Sequence, residues 1–291
     1  MRTRSVRLRR YVPYILISCS VLALAAGLLG VSGFPKRGEG VRPAGSAFST
    51  GRAGIRELPR TMLWAWERPE DFNFIDPRET GVAFLAGTIS IDVRRVNSQA
   101  PSAMRFVVLP RRQPLRVPEG TSLLAVTRIE MRSGVAPNEA DAAAIAGEIA
   151  RIAEIRGIVG IQIDFDATVS QREFYAAILR DLRLKIAKEM PISITALASW
   201  CFGDAWLDAL PIDEAVPMLF RMGVDDRNIR MKLARGEDFS SPVCRASEGI
   251  STDEVAPDFS GAAKYGRRIY WFHPRAWTAA AFHDAVKGAG Q

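Results

Sequence analysis

The stretch "GIVGIQIDFDATVSQ", residues 157–171, decides the fold. Side chains alternate across a strand, so Ile161, Ile163 and Phe165 share one face and Gln162, Asp164 and Asp166 the other. In an open parallel sheet helices cover both faces, and such a strand reads as apolar throughout. A face carrying an amide and two carboxylates fits instead a strand whose second face lines the lumen of a closed barrel, near its open end. There the acids find partners or water, without which burying them costs several kcal/mol. Two carboxylates this close raise a pKa between them, and a raised carboxyl at the carboxyl end of a barrel strand is what a general acid needs.

Strand-like and helix-like stretches alternate on either side of this segment. "TMLWAW" (61–66), "GVAFLAGTISIDV" (81–93) and "TSLLAVTRIEM" (121–131) predict three strands, with "MRFVVLPRRQPLRV" (104–117) inserted between the second and third as a hairpin or loop. "PNEADAAAIAGEIARIAEI" (137–155) predicts a helix capped by Asn138. A second helix begins near Gln171, with Ser170 and Glu173 spaced as a capping box and Phe174, Ile178, Leu182 and Ile186 as its buried stripe. "PISITALAS" (191–199) and "DEAVPMLF" (213–220) are the fifth and sixth strands, with "DAWLDAL" a short helix between them. The seventh lies near 243–252, the eighth is "RRIYWFH" (267–273), and "TAAAFHDAVKG" (278–288) closes as a helix. Eight strands alternating with helices predict an α/β fold of (β/α)8 TIM-barrel type over residues 61–291. A doubly wound open sheet is the competitor, but no glycine-rich phosphate loop follows any strand, and no cofactor is expected.

The net charge of +7 sits entirely in residues 1–50, where eight basic side chains face Glu39 alone. The neutral remainder lacks the basic footprint of a nucleic-acid binder. Arginines up to Arg10 precede an uncharged apolar run over residues 11–34, which predicts a signal anchor, or a signal peptide cleaved near Val31-Ser32-Gly33. Residues 35–60, rich in Gly, Pro, Ser and Arg, read as a flexible linker. The barrel is thus expected at the inner membrane facing the periplasm, or secreted. Of three cysteines Cys19 lies in the apolar run, leaving Cys201 and Cys244 either to pair as a disulfide or to stand as buried thiols. With His273 and His283 as the two histidines, a zinc site has little to work with, and no metal site is expected.

"GIQIDFD" (160–166) resembles the "GIDIDWE" strand of chitinase-like family 18 glycoside hydrolases, and "PMLF" (217–220) resembles their sixth-strand Met-x-Tyr, with Phe220 at the tyrosine. Across residues 60–275 the blocks "LWAWERPEDFNFID", "RIEM", "IDFDAT", "SWCFGDAWL", "VPMLFRMG" and "GISTDE" resemble an uncharacterised bacterial family, domain of unknown function 3142. The first resemblance implies hydrolysis of a polysaccharide, with Asp166 at the position of the catalytic acid, Asp164 beside it and Gln162 in place of a further Asp. A second carboxylate could come from Glu67, Glu130 or Glu254. Arg128 and Arg221 are charge-setting or binding candidates. Trp64, Trp66, Trp200 and Trp271 fall near strand ends, where rings can stack on sugars, and His273 ends the eighth strand. The alternatives are a non-catalytic glycan-binding module, suggested by the shorter Asp166 and by Phe220, and an envelope scaffold on the same barrel.

Overall fold

The computed structural model describes residues 53–94, 103–131, 139–257 and 265–289. The apolar segment 1–34, most of the linker and the Asn138 cap lie outside them. Among the described residues no helix is long and apolar enough to cross a membrane.

Eight parallel strands close into a barrel. They are β1 (Thr61–Ala65), β2 (Thr80–Arg94), β3 (Leu123–Met131), β4 (Ile158–Asp164), β5 (Ile192–Leu197), β6 (Glu214–Met218), β7 (Ser247–Ser251) and β8 (Arg268–Phe272). β1 seals the ring by pairing with β2 on one side, Thr61 opposite Thr80, and with β8 on the other, Thr61 opposite Ile269. Among the described residues four α-helices flank it: α1 (Glu139–Ile152), α2 (Arg172–Lys185), α3 (Asp226–Ala234) and α4 (Ala279–Ala289). In the crossover from β5 to β6 the expected short helix at "DAWLDAL" is a 3-10 helix, Ala205–Ala209, preceded by another at Ala198–Cys201. The expected insertion is a hairpin: Ala103–Pro110 pairs antiparallel with the upper half of β2, Gly87 opposite Pro110.

The predicted alternation on β4 holds. Ile161 and Ile163 are fully buried against the helical layer, together with Ile145 and Ile149 of α1 and Ile178 and Leu182 of α2. Each such aliphatic side chain contributes roughly 1.5–3 kcal/mol on removal from water. The start of α2 differs from the capping box read at Ser170. A 3-10 turn, Val169–Gln171, precedes it, and the Thr168 N–H donates to Gln171 Oε1 at 2.9 Å while Ser170 is exposed. A turn tighter than α shifts the capping residues by two positions.

The lower lumen is filled by one hydrogen-bonded chain. Trp64 Nε1 donates to Gln162 Oε1 (2.8 Å), Gln162 Nε2 to Ser193 Oγ (3.0 Å), and Ser193 Oγ to Glu214 Oε2 (2.9 Å). Tyr270 donates its hydroxyl to the same carboxylate at 2.8 Å, and Arg268 pairs with it at 2.5 Å. Burial and the Glu214 charge push the Tyr270 phenol well above its ordinary pKa, so it stays a donor. Arg268 also donates to the carbonyls of Pro59 (2.9 Å) and Ile55 (2.6 Å). Residues 53–60, read above as the end of the linker, therefore belong to the body: Ala53–Glu57 is helical, and Ile55 and Leu58 are buried under the barrel with Met62.

Cys201, in the turn after β5, is bonded to Cys244, in the turn before β7, with Cα atoms 5.9 Å apart and both side chains buried. A bridge over such a loop stabilises by about 2–4 kcal/mol. Cys201→Ser with Cys244→Ser is accordingly expected to lower the urea midpoint under non-reducing conditions. A midpoint equal to that of the parent chain would show that the bond contributes nothing.

Candidate functional site

The carboxyl ends of the strands surround a cavity of about 220 Å³. Its floor is Trp64, whose ring lies 5.3 Å from Tyr270 and 6.2 Å from Phe220. β7 leaves room for that ring with a glycine: a Cβ on Gly249 would lie 2.9 Å from Cη2 of Trp64. Gly249→Ala is expected to cost about 1–3 kcal/mol, the usual penalty of overpacking, and to shift the tryptophan fluorescence. An unchanged spectrum and melting temperature would contradict this placement of the ring.

Asp164, the last residue of β4, and Asp166, just beyond it, both line the cavity, with Phe165 turned away onto Tyr175 at 5.1 Å. Asp164 Oδ1 accepts from the Thr195 hydroxyl at 2.7 Å, and its Oδ2 lies 4.0 Å from Arg128 Nε. Burial, and then the neighbouring charge of Asp166, push the Asp164 pKa up to about 6, against the opposing pull of Thr195 and Arg128. Asp166 is exposed at the rim, yet the surrounding walls strip enough water from its carboxyl to raise its pKa as well, against the attraction of Arg128. The pair therefore holds a proton to higher pH than two isolated aspartates would.

Two arginine–aromatic stacks also line the cavity. The Arg128 guanidinium lies 5.6 Å over Trp66 and its Nε 3.1 Å from Glu130. Arg221 lies 5.0 Å over Phe272, and the Trp66 and Phe272 rings meet edge-on at 6.3 Å. Arg221 sits at φ 52, the one non-glycine residue in the left-handed region among the described residues. This conformation costs roughly 1–2 kcal/mol. Its N–H donates to Glu254 Oε2 at 3.0 Å, and its guanidinium lies 3.7 Å from Asp253 and 3.9 Å from Glu254. Asp225, in the turn before α3, lines the cavity as well.

Of the residues singled out on sequence, Trp64, Trp66, Arg128, Asp164, Asp166 and Arg221 thus meet at one cavity. The others are placed elsewhere. Gln162 is fully buried beneath the floor as a link in the polar chain. Trp200 is buried against Trp206, rings 5.1 Å apart. Trp271 points outward into the helical layer, because Tyr270 and Phe272 occupy the lumen-facing positions of β8. Glu67 is exposed beside the Arg112 N–H at 3.2 Å, and neither it nor Glu130 lines the cavity. His273 is engaged through Nδ1 with the Thr252 hydroxyl at 2.6 Å and lies 5.0 Å from Trp277. Burial, with Arg275 and Arg68 nearby, lowers its pKa. Thr195, Asp225 and Phe272 were not singled out. Thr195 was legible, with Ser193, as a polar residue on the lumen parity of "ISITAL", whereas nothing local marks Asp225 as facing the cavity. Among the described residues no three His, Cys, Asp or Glu side chains are placed to hold a metal ion.

Comparison with family models, with curated proteins and with solved structures returned no match.

Proposed function

We propose that this barrel is a glycoside hydrolase of an extracytoplasmic or envelope polysaccharide, held at the inner membrane by its N-terminal apolar segment. One observation carries the reading: two adjacent carboxyls with raised pKa face an aromatic-walled cavity at the carboxyl ends of the strands of a (β/α)8 barrel. In such barrels catalytic groups come from those strand ends. Asp166, at the open rim, is positioned to give its proton to the glycosidic oxygen as the bond to the anomeric carbon breaks. Asp164, when ionised, lies within the same cavity to stabilise the positive charge that develops on the sugar ring. Trp66 offers apolar surface for a sugar face. The resemblance of "GIQIDFD" to the chitinase-like strand agrees with this assignment.

The test is hydrolysis of a polysaccharide panel by the full-length chain, solubilised in a detergent that carries no sugar, with Asp166→Asn beside it. Product release by the parent chain and its loss in the variant are expected. Undiminished hydrolysis by Asp166→Asn would remove that residue from the acid role. Saturable binding with no turnover would leave a glycan-binding module on the same barrel.

A further inference from the structure

We infer that the sugar entering this cavity is cationic, a unit of a glycan that carries free amino groups; this extends the glycan reading above and rests on it. Five ionisable side chains line the cavity: Arg128, Arg221, Asp164, Asp166 and Asp225. Both arginines already face carboxylates from outside the cavity lining, Arg128 facing Glu130 and Arg221 facing Asp253 and Glu254. The acids are not matched in the same way. Asp164 is shared between Thr195 and the edge of Arg128, and the side chains of Asp166 and Asp225 have no hydrogen-bond or ion-pair partner among the described residues. The charge left for a ligand is therefore negative.

Asp225 is the telling residue. It is the last residue of the 3-10 turn Gly223–Asp225 and has αR backbone (φ −84, ψ −11), so its side chain is not placed to accept the capping hydrogen bond from the first amides of α3. Its carboxylate makes no such bond and lines the cavity instead, while the next acid, Asp226, is held by Arg230 at 2.8 Å. With Asp166 keeping its proton for the glycosidic oxygen, a neutral sugar would leave the Asp225 carboxylate unanswered, and a uronate would be repelled by it. An ammonium group satisfies it. Asp225, which lines the cavity from the turn before α3, takes the ammonium, leaving Asp166 to the glycosidic oxygen.

Calorimetric titration of the full-length chain separates the cases, with three four-sugar oligomers in mildly acidic buffer: glucosamine, N-acetylglucosamine and galacturonate. The glucosamine oligomer is expected to bind at least about tenfold tighter than the N-acetylated one, a difference of about 1.4 kcal/mol. Its affinity should fall as salt is added. Asp225→Asn should erase the preference without lowering the melting temperature. Equal or tighter binding of the neutral or anionic oligomer, a preference that survives Asp225→Asn, or no binding of any of the three would overturn the inference. Turnover of a neutral glycan that Asp166→Asn abolishes would sink it while leaving the hydrolase reading standing. A tenfold amine preference without turnover of any glycan would do the reverse.

Discussion

Arg268→Met is expected to destabilise the folded chain by about 3–5 kcal/mol, the usual consequence of removing one partner of a buried ion pair. Glu214 is fully buried, and its two oxygens are served by Arg268, Tyr270 and Ser193. Without the guanidinium its charge has no counter-ion in the lumen, and the carbonyls of Ile55 and Pro59 lose a donor. Glu214→Leu should cost a similar amount, because Arg268 is then the stranded charge. The double variant Glu214→Leu with Arg268→Met should recover part of the loss, since a buried pair exchanged whole for apolar groups is often tolerated. Urea denaturation of the four chains measures the cycle. A loss of less than about 1 kcal/mol in either single variant would mean that water reaches the pair and screens it.

Asp166→Asn should reduce turnover by about 10²–10⁴-fold if it removes the general acid. The parent rate should decline toward alkaline pH as the Asp164–Asp166 pair gives up its proton, and the residual rate of the variant should lose that dependence. Asp164 makes a separate prediction on stability. Its folded pKa of about 6 lies above its ordinary value, so the folded state binds the proton more tightly than the unfolded one. The stability this confers is complete below about pH 4 and is lost as pH rises through about 6, a change of at most about 3 kcal/mol. Asp164→Asn removes that loss, so the variant should be more stable than the parent at neutral pH and less active. Denaturant midpoints for both chains from pH 4 to pH 8 check the sign. Parallel curves would show that Asp164 titrates as an ordinary surface aspartate.

What could be read from the residues was whatever depended on near neighbours in sequence. The alternation of Ile161, Ile163 and Phe165 with Gln162, Asp164 and Asp166 needs only the pleat of one strand, and it located both the barrel and two of its cavity acids. The stripe on α2 needs only the helical repeat. Features set by distant neighbours were not legible. Whether Tyr270 or Trp271 faces inward depends on the register of β8 against β1 and β7, and both side chains suit either side. Glu214 and Arg268, 54 residues apart, carry no local mark of a pair; closure of the barrel brings them together. Gln162, read as part of the site, is instead a core group whose amide links Trp64 to Ser193. Asp225 sits in the 3-10 turn that leads into α3, with no local sign that it lines the cavity.

The grip of Arg268 on the carbonyls of Ile55 and Pro59 has a mechanical side. The chain enters the barrel at the pole where the strands begin, and Asp164, Asp166 and Arg221 stand at the pole where they end. Tension applied ahead of residue 53 falls first on the short helix and on this guanidinium clamp. The clamp would peel before force reached the hydrogen bonds between strands. The cavity would keep its shape under a pull that had already stripped the plug from the opposite end.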